Sequence, residues 1–138
     1  MDSNELKQLV YNRISADAAI KAAIGDEFYF TINPKDTPVY PYIVYKFIAG
    51  ELERDSLTKY ESHIVSFVIY DNSGSTKRIS EIAGLLDSVF DECEAELSGV
   101  SFTVLSVDRI TPLTIIAKSD LDNWMLDVDY EIQIQIGV

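Results

Sequence analysis

The last stretch of the chain alternates apolar and polar residues. Trp124, Leu126, Val128, Tyr130, Ile132, Ile134 and Ile136 point one way, and Met125, Asp127, Asp129, Glu131, Gln133 and Gln135 the other. A period of two predicts a long strand with one face on a core and one face wet, as in antiparallel sheets. Tyr60–Tyr70 alternates similarly, with His63, Val65, Phe67 and Ile69 on one face. Tyr42–Ala49 is rich in aromatic and β-branched residues and reads as a strand. Glu27–Ile32 reads as a short strand, and Val100–Ile110 as a strand with Val100, Phe102 and Val104 inward. The period is 3.6 elsewhere. Leu6, Val10 and Ile14 form a stripe on a first helix from Ser3, with Ser3 as its N-cap. Asp17 restarts a short helix with Ile20, Ala23 and Ile24 inward, which Gly25 ends. Ile79, Ile82, Ala83, Leu86, Val89 and Phe90 mark the strongest helix, capped by Ser75.

The connections carry their own signals. Pro34, Pro38 and Pro41 fall within eight residues and predict a rigid extended loop. Gly50–Lys59 is polar and aperiodic, a long hairpin loop or arm. Thr111–Asp122 reads as a loop holding an apolar patch, Leu113, Ile115 and Ile116, either a lid over the protein's own core or an interface. The order α-α-β-β-β-α-β-β predicts an α+β fold, an antiparallel or mixed sheet packed against helices. One domain over 1–138 is expected.

Charge narrows the functions. Eleven Lys and Arg stand against 23 Asp and Glu, a formal net charge of −12. Such a chain is a poor match for phosphate backbones or anionic membranes, so neither nucleic acid nor membrane is an expected partner. The longest uncharged run, Leu97 to Val107, is too short to span a bilayer. The polar start Met1–Glu5 is unlike a secretory signal. The single cysteine and the absence of an N-x-[ST] sequon fit a reducing compartment.

The catalytic inventory is thin. His63 is the only histidine and lies within a strand, a structural position. A Ser-His-Asp site would need it, but no G-x-S-x-G elbow exists. Cys93 sits between Glu92 and Glu94, a setting opposed to a reactive thiolate. Asp120 and Asp122 begin like a calcium loop, yet Met125 stands where its glycine belongs. Gly74-Ser75-Thr76-Lys77 lacks the spacing of a phosphate loop. No catalytic residue, metal or cofactor is expected.

Several segments in order carry a resemblance. They are ISADAAIKAAIGDEFYF (Ile14 to Phe30), TPVYPYIVYKFIAGELERD (Thr37 to Asp55), HIVSFVIYDNSGSTKRISEIAGLLDSVFD (His63 to Asp91) and WMLDVDYEIQIQI (Trp124 to Ile136). Together they resemble the phage tail completion family, the tail terminator or tail-to-head joining proteins of long-tailed phages. Each motif is degenerate; their order and spacing carry the likeness, which spans nearly the whole chain. The resemblance implies a small structural domain without catalytic residues. It implies a ring, typically sixfold, on the head-proximal end of the tail tube, where it stops growth and joins tail to head. The implied partners are further copies of the chain, the major tail tube protein and the head connector. The implied location is the virion of a phage or prophage, assembled in the host cytoplasm. Glu51, Glu53 and Arg54 are candidates for one side of a subunit contact, and Leu113 and Ile115 for the other. The alternatives are a small ligand-binding or regulatory α+β domain, or an enzyme built on His63 or the Asp120/Asp122 pair.

Overall fold

The computed structural model describes residues 3–31, 39–54, 58–118 and 123–136. Helices α1 (Ser3–Ser15) and α2 (Ala18–Ile24) lead to strand β1 (Phe28–Phe30). The long strands β2 (Tyr42–Arg54) and β3 (Lys59–Asp71) follow, then α3 (Lys77–Phe90). A 3-10 turn at Glu94–Glu96 precedes β4 (Phe102–Arg109), β5 (Ile116–Lys118) and β6 (Trp124–Ile136). The fold is α+β with a mixed sheet, in the order expected.

The sheet order is β1-β2-β3-β6-β4, with β5 on the same side of β6 as β4. Only the β1–β2 pair is parallel. The last strand thus inserts between β3 and β4. β3 and β6 pair without a break from Lys59↔Ile136 to Asp71↔Trp124. β2 carries a bulge between Phe47 and Ala49, and β4 one between Val104 and Ser106.

The helices cover the face predicted to be dry. Leu6, Val10 and Ile14 of α1, Ile20 and Ile24 of α2, and Ile79, Ile82, Leu86 and Phe90 of α3 join one buried cluster with Tyr45, Phe67, Leu126, Val128, Tyr130, Ile132 and Ile134. Inside it Phe67, Phe90 and Tyr130 meet edge to face, with centroids 4.9–5.8 Å apart. One polar network reaches in. Tyr130 OH donates to Asp87 Oδ1 at 2.9 Å, and Arg109 Nε lies 3.3 Å from the same oxygen.

Details of the boundaries differ from expectation. Asp17 does cap α2, its Oδ2 accepting from Ile20 N–H at 3.0 Å, and Gly25 closes that helix at φ +65°. At α3 the capping position is Thr76, whose side chain makes no capping bond, while Ser75 Oγ accepts from Lys77 N–H at 3.4 Å. The strand expected from Val100 begins at Phe102; Val100 is exposed in the preceding turn, where Glu5 binds the N–H groups of Val100 and Ser101. Of the strand expected at Glu27–Ile32, Phe28–Phe30 form the ladder with β2, Glu27 and Thr31 add one main-chain bond each at its ends, and Ile32 lies outside the described residues. Ser3, expected as the N-cap of α1, is its first residue. Of the proline-rich stretch, residues 32–38 lie outside the described residues.

Candidate functional site

The two stretches singled out as loops lie along opposite sides of the sheet. Gly50–Lys59 is mostly strand: β2 and β3 continue their ladder to Arg54↔Lys59, and residues 55–57 lie outside the described set. β3 holds this part of β2 in register from one side alone. On the other side β1 covers β2 only at Ile43–Tyr45, where Ile43 N–H donates to Glu27 C=O at 3.0 Å and Thr31 N–H to Tyr45 C=O at 2.9 Å. From Lys46 to Arg54 no described strand pairs with that edge. Glu51, Glu53 and Arg54 are exposed there, as are Ile48 (49%) and Leu52 (53%).

Thr111–Asp122 is pinned rather than free as far as it is described. Ile110 N–H donates to Asp129 C=O, Asp129 N–H to Thr111 Oγ1 (both 2.9 Å), and Asp127 N–H reaches Ile115 C=O at 3.4 Å. β5 then pairs with Leu126–Trp124. The apolar patch divides by residue: Leu113 and Ile116 pack against the core, whereas Ile115 is 48% exposed, as is Ile110. The intervening β4 edge is sealed by its own chain. Glu92 N–H donates to Val107 C=O at 2.8 Å, Arg109 N–H to Asp91 Oδ1 at 2.9 Å, and Ser98 bridges Thr103. Glu92 adopts φ 58° at that seal.

The uncovered sheet face is acidic. The register places Glu51, Glu53, Asp108, Asp127, Asp129 and Glu131 on it, with Lys46. Ser66 Oγ donates to Asp127 Oδ1 at 2.9 Å. Burial, and then hydrogen bonding with Asp127, push the Asp129 carboxyl above its usual range; Ser66 and Lys46 pull against that. A shallow cleft on this face, between Glu51, Glu53, Tyr60, Ser62, Glu131 and Gln133, offers carboxylates and hydroxyls but no cation.

Among the described residues the chemically able side chains lie apart. His63 Nε2 lies 2.8 Å from Glu61 Oε1, and its ring stands edge-on to Phe47. Cys93 is buried, and burial pushes its thiol up to about 11, far from a thiolate nucleophile. No cluster of three metal-ligating side chains occurs among the described residues, and Asp120 and Asp122 lie outside them. No described helix is long and apolar enough to cross a membrane. The bare β2 edge and the self-sealed β4 edge were not legible from the residues, since neither follows from a single strand's pattern. The exposure of Glu51, Glu53 and Arg54 was, whereas the apolar patch with Leu113 and Ile115 was left open between a lid and an interface.

Known proteins place this architecture. A component of the virion of a native gene transfer agent particle has the same fold, with a TM-score of 0.76 over 96% of both chains at 14% identity. A second solved structure superposes with a TM-score of 0.60 over 100% of this chain and 99% of its own, also at 14% identity. No curated protein matches by sequence. The family described as tail completion protein gp17 matches residues 8–133. With that match spanning nearly every element from α1 to β6, the chain belongs to the phage tail completion family.

Proposed function

We propose that this tail completion protein is a tail terminator. It forms a ring on the head-proximal end of the finished tail tube, stops further growth and offers the surface to which the head connector binds. The observation that carries this reading is the family match over 8–133. The fold shared with a virion component of a gene transfer agent particle supports it. The physical features are compatible. A rigid sheet backed by three helices presents bare backbone and acidic surface rather than a chemical site, which suits docking and charge-selected assembly. Copies of the chain, the tube protein and the connector are the partners, sixfold symmetry is the expected closure, and no catalysis is needed.

The test is deletion of the gene from the phage or prophage that carries it. Electron microscopy should then show filled heads without tails and tubes of uncontrolled length, and the purified protein should restore joining. Tubes of normal length joined to heads in the deletion would overturn the reading.

A further inference from the structure

The described sheet is covered along part of each side and bare along the rest. On one side Lys46–Arg54 has no strand beyond it among the described residues. On the other, β4 is sealed by Asp91, Glu92 and Ser98, while no strand pairs beyond Ile110–Lys118. The first bare stretch is strand throughout; of the second only β5 (Ile116–Lys118) is strand, and residues 111–115 form the turn that leads to it. Their chemistry is complementary. The first exposes Ile48 and Leu52 beside Glu51 and Glu53; the second exposes Ile110 and Ile115 and contains no acidic residue.

Their polarity fits as well. β2 runs with β6, and β5 runs against it. Rotation about a ring axis preserves each strand's sense along that axis, so the β2 of one copy meets the β5 side of the next antiparallel. Two β2 edges paired with each other would instead set Glu51 and Glu53 near their own equivalents, a like-charge clash.

We propose that the bare β2 edge at Gly50–Leu52 of one copy pairs antiparallel with β5 (Ile116–Lys118) of its neighbour, Glu51 opposite Ala117, so that the sheet continues from subunit to subunit. This rests on the ring reading above and adds the contact that builds it.

The backbone supplies the test. Ile43 and Tyr45 turn their main-chain groups away from β3, toward β1. The bulge after Phe47 shifts this parity, so beyond it Gly50, Leu52 and Arg54 turn outward. Leu52→Pro therefore removes a donor from the bare edge and none from the β2–β3 ladder, while Leu52→Thr keeps the donor. Tails are assembled with a mixture of Glu51→Cys and Ala117→Cys copies and treated with a short bis-maleimide; native Cys93 is buried and stays unreacted. The mixture should give cross-linked dimers, and Glu51→Cys copies alone should give none. Leu52→Pro in both partners should abolish the adduct and Leu52→Thr should keep it. Cross-linking among Glu51→Cys copies alone, or an undiminished adduct in Leu52→Pro, overturns the edge contact. If Leu52→Pro fails to fold, the two cysteine arms decide alone. A ring that caps tubes without this cross-link overturns the contact and leaves the terminator role standing; normal tails in the gene deletion overturn that role itself.

Discussion

Tyr130 ties three elements together through one hydroxyl, since its partner Asp87 belongs to α3 and the neighbouring cation Arg109 to β4. Tyr130→Phe should cost about 1–2 kcal/mol, because Asp87 keeps Arg109 and is not left wholly unpaired; urea unfolding measures it. Two substitutions on adjacent residues of β6 test its faces. Ile132 is fully buried and Gln133 exposed. Ile132→Asp should cost on the order of 4 kcal/mol by burying an unpaired charge, and Gln133→Asp almost nothing. Equal effects would mean the strand is not one-faced. Asp129 makes a pH-dependent prediction. Its carboxyl is raised by burial and by Asp127, so the folded state holds that proton more tightly than the unfolded chain does. Its contribution is present at low pH and lost as pH rises from the ordinary carboxylate range through the raised value. Asp129→Asn should therefore melt above wild type at pH 7, and the difference should shrink toward pH 4. A difference independent of pH would contradict the assignment.

Among the elements, the turn before β4 and the exposed side of α3 respond oppositely to the same chemical change. A Cβ at Gly99 would lie 2.7 Å from the Phe102 carbonyl oxygen and as close to its ring, whereas one at Gly84 meets nothing within 4 Å. Gly99→Ala should destabilise by about 1–3 kcal/mol and loosen the seal on β4. Gly84→Ala should stabilise by about 1 kcal/mol through helix propensity. Thermal melts of the pair should move in opposite directions. The elements also show what a sequence can carry. The buried sides of α3 and β6 were legible because many residues repeat one period against one core. The insertion of β6 between β3 and β4, and the parallel seat of β1, were not, since they depend on which strands meet. β5 escaped because a three-residue strand has no period of its own. The outer half of β2 read as loop because its polar residues face water while β3 alone holds the backbone. Of the site candidates, Glu51, Glu53, Arg54 and Ile115 are exposed, and Leu113 packs inward, a distinction that only the path of Thr111–Lys118 along β6 makes.

For the molecule as a whole, a net charge of −12 gathers much of its repulsion on one sheet face. Raising salt from roughly 0.05 to 0.5 M shortens the Debye length several-fold. The melting temperature should therefore rise with sodium chloride at neutral pH, and an unchanged or falling one would show that this crowding does not limit stability. The bulges give the sheet a property of a different kind. Ile48 and Leu105 are the spare residues of β2 and β4, opposite no partner in the neighbouring strand. Loss of one amino acid near either can be absorbed by straightening the bulge, with every later side chain keeping its side. β3 and β6 have no such slack along their thirteen paired positions, and a one-residue deletion there inverts everything beyond it. Among descendants of this sequence, length should therefore drift in the outer strands of the sheet and stay fixed in its two central ones.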